Sequence, residues 1–205
     1  QVFSRTLKAL CTLAAVAMLS ACGGASSTVE PFVATRVIAF GDGFNFVDAN
    51  GSGKSTVRAT DLTANPVVYV TDDTIAGRIA ATRYGIVVKD VATGPALAAT
   101  GGFSYATANA RVADVDAQIT TFLNAAGTVG KKDLIIITVG NWDVYDATLS
   151  GATSMDTPAT ALVASIQRLT NAGAEHVVLM PSINMARTPW AVSYTHLRAH
   201  ETLMN

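Results

Sequence analysis

Asp42, Asn141 and Asp143 are polar side chains placed where a chain of this kind does chemistry. Each follows an apolar run that stops at a glycine. Val37, Ile38, Ala39 and Phe40 end at Gly41, Asp42 and Gly43, and the run from Leu134 to Val139 ends at Gly140, Asn141, Trp142 and Asp143. Such runs suit central parallel strands that feed tight turns. In open α/β sheets, ligands bind just beyond the carboxyl ends of these strands. A reactive group at either corner would sit where substrates are held.

The elements that must position these corners are legible in part. Asp72 and Asp73 suit the positive end of a helix over 72–84, with Ile75 and Ile79 on its apolar face and Gly85 closing it. Residues 86–88 read as a short strand and 94–102 as a loop. Val112, Val115, Ile119, Phe122 and Leu123 recur at helical spacing, which predicts an amphipathic helix lying on a sheet. Thr157 and Pro158 read as an N-cap and first helical position, with Leu162, Ile166 and Leu169 following on one face. Gly173 ends that helix, and Val177 to Met180 forms another strand. This alternation predicts a three-layer α/β/α sandwich around a central parallel sheet.

Residues 45–66 are polar and glycine-rich. The string GSGKST at 51–56 invites a phosphate-loop reading, but that motif needs a glycine five positions before Gly53, where Asp48 stands. A solvated loop is the better reading.

Composition narrows the function classes. The chain has 205 residues, half of them hydrophobic, 14% charged, with a formal net charge of -1. Its mean hydropathy is +0.35. That supports one folded domain with a sizeable core and gives nucleic-acid binding no electrostatic basis. Cys11 and Cys22 are the only cysteines. Both lie near the N-terminus, which leaves neither a disulfide nor a cysteine-based metal site in the domain.

Three stretches resemble the SGNH (GDSL) hydrolase family. Phe40, Gly41 and Asp42 match its first block, F-G-D-S-L-S-D, and Asp48 stands near the later acid. Tyr105, Ala106, Ala110, Arg111 and Val112 match a second block close to N-Y-A-x-G-G-A-R-V, whose paired glycines fall on Ala108 and Asn109. Gly140 and Asp143 match the ends of the third, G-x-N-D, with Asn141 one position early and Trp142 in the asparagine's place. The resemblance covers most of residues 36–191 and implies a flavodoxin-like α/β/α fold, incomplete at the C-terminus. It also implies an ester hydrolase acting on lipids or acylated glycans, with no cofactor and no metal. In that scheme a serine attacks the ester carbonyl, a histidine takes its proton, and an aspartate orients the histidine. Positions 108, 109, 140, 141 and 143 would form the oxyanion site.

The nucleophile position is Gly43, which has no side chain, and Asp42 is displaced by one residue from it. The family's last block, D-x-x-H, which supplies acid and base, occurs nowhere in the chain. His176 reads as a solvated residue at a strand entrance. The resemblance therefore implies a hydrolase by descent with little or no esterase activity in this form. The alternative is a non-catalytic lipoprotein that binds glycans or acyl groups through the retained pocket.

The flanks read differently from the domain. Arg5 and Lys8 precede an apolar run over 9–19, too short to span a bilayer comfortably, and together they read as a signal peptide. Leu19, Ser20, Ala21 and Cys22 resemble a bacterial lipobox, which makes residues 1–22 a lipoprotein leader and Cys22 the lipidated residue. That places the protein at the bacterial cell envelope, lipid-anchored in the outer membrane through Cys22, or among secreted proteins. Residues 23–35 read as a tether, and 36–192 as the partial hydrolase-like domain. Residues 193–205, with His196 and His200, read as a non-native, adapter-like tail.

Overall fold

The computed structural model describes residues 30–49, 57–61, 63, 68–71, 73–91, 100–126 and 129–189. The secondary-structure elements lie in one compact unit that begins at Val33. The strands are β1 (Arg36–Gly41), β2 (Val57–Asp61), β3 (Val68–Thr71), β4 (Val88–Asp90), β5 (Gly101–Ser104), β6 (Asp133–Thr138) and β7 (His176–Met180). The helices are α1 (Ile75–Tyr84), α2 (Val112–Ala126), α3 (Asn141–Ser150) and α4 (Asp156–Asn171), followed by a 3-10 turn at Met185–Arg187. No helix among the described residues is long and apolar enough to cross a membrane.

The fold is α/β, built on a five-stranded, wholly parallel sheet of order β4-β5-β1-β6-β7. β2 and β3 form a separate antiparallel pair. Every residue of β1 and β6 is buried, as central parallel strands covered on both faces require. Alternation along the strands divides the core. Ile38, Phe40, Ile135 and Ile137 pack with Val115, Ile119 and Phe122 of α2 and Leu169 of α4. Val37, Ala39, Leu134 and Ile136 face the other way, and Ala76 and Ala80 of α1 are fully buried against the sheet. This arrangement is consistent with α/β/α layering. The rings of Phe40, Tyr105 and Phe122 meet with centroids 5.5–5.6 Å apart. At the N-terminal end of the sheet, a buried bidentate pair joins Arg36 to Asp133.

From β1 the chain passes to β4 and β5 on one side, then crosses to β6 and β7 on the other. The connections therefore diverge between β1 and β6. At such a switch point the carboxyl ends of two neighbouring strands leave a crevice.

Several expected boundaries shift. α1 starts at Ile75 because Thr74 caps it, its hydroxyl accepting from Gly77 N–H at 2.9 Å. The buried face of α1 is Ala76, Gly77 and Ala80, while Ile79 is exposed, because small residues let the helix approach the sheet closely. α4 begins at Asp156, two residues before the expected first position, and Ser154 Oγ accepts from Asp156 N–H at 3.0 Å. β4 starts two residues later than expected. β5 occupies part of a stretch read as loop, and β2 lies within the segment read as polar loop. α3 was not expected at all: none of its residues is fully buried, so it carries no apolar period. The leader with Cys22, residues 23–29 of the tether, Asp72, the 51–56 string and the 193–205 tail lie outside the described residues.

Candidate functional site

The three motif corners meet at the C-terminal edge of the sheet. The first is shaped by a close approach of backbones. Gly41 has φ +114°, and a Cβ there would lie 1.8 Å from the Thr138 carbonyl oxygen, so only glycine fits. Asp42 N–H then donates to Thr138 O at 2.8 Å. Past the end of its ladder with β5, β1 is completed by a side chain. Gln118 of α2 accepts from Gly41 N–H at 2.7 Å and donates to Gly41 O at 3.1 Å.

Asp42 is 2% exposed. Its Oδ1 accepts from Phe44 N–H at 3.1 Å and Thr138 Oγ1 at 3.0 Å, and its Oδ2 accepts from Asn141 Nδ2 at 3.1 Å. Asn141 Oδ1 in turn accepts from Ser182 Oγ at 3.0 Å and Ile183 N–H at 3.1 Å. One carboxylate and one amide thereby tie together the ends of β1 and β6 and the segment after β7. Below them, the fully buried Asn45 donates to Phe40 O and Ile136 O and accepts from Ala76 N–H.

The second corner is a turn closed by Ala110 N–H on Thr107 O at 3.2 Å. The atom it presents to the first corner is a carbonyl oxygen. A Cβ on Gly43 would lie 3.0 Å from Ala108 O. Asn109 is exposed beside it, and its carbonyl accepts from Arg111 Nη1 at 2.9 Å.

The third corner opens directly into α3, with Gly140 at φ +111° as a cap that has no side chain to bond. Its residues diverge. Asn141 points to Asp42, as above. Asp143 turns to α2, whose first N–H, on Val112, it accepts at 3.1 Å. Burial pushes the Asp143 carboxyl up, against the opposing pull of the Val112 N–H. Arg111 pairs with Asp146 at 2.7 Å and lies 5.6 Å from the Trp142 ring centre.

Between the corners lies a cleft of about 170 Å³ lined by Asp42, Gly43, Phe44, Ala108, Asn141 and Trp142. A smaller cavity of about 60 Å³ adjoins it, lined by Ile75, Thr138, Met180, Pro181 and Ile183, with Phe44 and Asn141 shared. Asp48 lines neither cavity. Of the expected site residues, Asp42, Gly43, Ala108 and Asn141 gather at the cleft, Gly140 stands behind them, and Asn109 and Asp143 face elsewhere. Gln118, Asn45, Thr138 and Ser182 were not singled out, since no spacing rule marks a lone polar residue that serves a distant corner.

Among the described residues, the cleft offers a buried carboxylate, an amide and two aromatic side chains. The nucleophile position carries no side chain. The Ser104 hydroxyl donates to Asn45 O at 2.7 Å and the Ser182 hydroxyl bonds Asn141. His176, the one histidine among the described residues, sits at the start of β7 opposite Leu134, a strand's length of about 13 Å from the cleft edge. No group of three or more metal-ligating side chains is assembled among the described residues.

Compared with known proteins, the sequence matches no protein-family model and no curated protein.

Proposed function

We propose that the chain is a diverged relative of the SGNH ester hydrolases whose cleft binds a small acyl or glycan ester without cleaving it. Two features support the lineage. With β4 set aside, the sheet reads 2-1-3-4, the order of flavodoxin-like folds. The three resembling blocks also line one edge of that sheet. On this reading, Cys22 carries lipid and holds the protein at the cell envelope.

The observation that carries the non-hydrolytic part is the contact between Gly43 and the second corner. Where a serine Cβ would stand, the Ala108 carbonyl oxygen is 3.0 Å away. A Cβ at that position is tight against the oxygen, and Gly43 itself brings no nucleophile. Loss of a serine nucleophile alone costs roughly a millionfold in turnover.

Hydrolysis of a short-chain nitrophenyl ester by the unmodified chain and by Gly43→Ser tests the proposal. Both are expected to stay at the background rate, because the serine variant gains a hydroxyl but no general base among the described residues to activate it. Robust turnover by the unmodified chain overturns the non-hydrolytic reading. Turnover by the serine variant alone identifies a decayed enzyme that has lost only its nucleophile.

A further inference from the structure

Asp42 is a buried carboxylate whose partners are all uncharged: a backbone N–H, a hydroxyl and an amide. The ion pairs formed by Asp133, Asp146, Asp116 and Glu175 do not include it. A buried charge is costly unless it is paired. The N-terminal end of α3 supplies about half a positive charge, which offsets only part of it. The rest of the cleft adds to the negative side. The Ala108 carbonyl oxygen faces Gly43, and the aromatic residues Phe44 and Trp142 line the walls, whose ring faces attract cations. The Arg111 charge beside Trp142 is balanced by Asp146.

We infer that this cleft takes a small organic ammonium ion, with its charge compensating Asp42 and its alkyl groups against Phe44 and Trp142. The inference rests on the reading of the cleft as a ligand site and adds the charge of the ligand. A hard metal ion fits less well, since it wants six or more oxygen ligands and the lining offers one carboxylate among aromatic walls. The volume of about 170 Å³ holds roughly five water-sized groups, which suits an ion the size of choline. The missing side chain at Gly43 leaves that room open.

The test titrates the full chain with choline chloride and with its uncharged isostere 3,3-dimethylbutanol at matched ionic strength, following the Gly43 backbone amide by NMR. Choline is expected to bind at least tenfold more tightly than the alcohol. Asp42→Asn is expected to erase that preference. Trp142→Leu, on a helix with no fully buried residue, is expected to keep the fold and weaken choline several-fold. Equal or weaker binding of choline overturns the charge assignment, while binding of the alcohol or of a short-chain ester leaves the ligand cleft standing. No response of the Gly43 amide to choline, the alcohol or the short-chain ester overturns both.

Discussion

Asn141 Nδ2 donates to Asp42 Oδ2 at 3.1 Å across 99 residues of sequence, and through it the corners after β1, β6 and β7 form one polar network. Asn141→Ala would leave Asp42 Oδ2, Ser182 Oγ and Ile183 N–H without this partner. Orphaned groups of this kind cost about 1–3 kcal/mol. Denaturant unfolding is expected to show a loss in that range for Asn141→Ala and a larger one for Asn141→Asp, which sets two carboxylates against each other. A loss below about 0.5 kcal/mol, the scale of an ordinary surface substitution, would show that the network does not hold the corners.

Gln118 acts as a strand partner for Gly41, taking its N–H and serving its carbonyl. In Gln118→Leu the Gly41 carbonyl keeps Thr107 N–H, but the Gly41 N–H loses its acceptor. Hydrogen exchange is expected to show the Gly41 amide deprotected in this variant, with the Ile38 amide in mid-strand unchanged. Stability should fall by about 1–3 kcal/mol, the cost of a buried unpaired donor.

Asp143 binds its proton more tightly in the folded chain than in the unfolded one, since burial raises its pKa above the ordinary 3.8. Between those two values the native state holds more protons, so stability falls as pH rises through the window. Asp143→Asn keeps an oxygen for Val112 N–H and removes the titration. The melting temperature of the variant relative to the parent is expected to rise with pH from about 3.8 upward and then level off. A difference that is flat, or of opposite slope, contradicts the assignment.

Tyr105 is 6% exposed, and its hydroxyl has no hydrogen-bond partner among the described residues. Burial pushes its pKa up, against the pull of the Arg36 charge. Tyr105→Phe keeps the ring contacts with Phe40 and Phe122 and deletes the orphan group. It is expected to be neutral or to stabilise by up to about 1 kcal/mol, read as an unchanged or raised melting temperature. A clear loss would mean that the hydroxyl has a partner, such as a buried water.

The parts of the fold that obey a period were legible in the sequence. β1 and β6 announce themselves as apolar runs, and α2 shows its buried face at helical spacing, because burial dictates those residues. β5 begins with Gly101 and Gly102, which read as loop, and Gly102 is needed there because a Cβ would come within 2.8 Å of β4. α3 lies on the surface and needs no apolar stripe, so nothing in its composition separates it from a turn. The convergence of Asp42, Gly43 and Asn141 followed from strand ends and glycines. The aim of each group did not: one corner turns the Ala108 carbonyl toward Gly43, and one helical turn sends Asn141 and Asp143 to different neighbours. Such directions are set by local backbone geometry, which residue types alone leave open.

The most direct measurement is a map of backbone amide shifts in the unmodified chain while a short-chain alkyl ester is added, with product followed in the same tube. The expected result is saturable movement of the Gly43, Phe44, Ala108 and Trp142 amides with no hydrolysis above background. Shifts confined to other surfaces, or release of acid and alcohol during the titration, would contradict a cleft that holds an ester without cutting it.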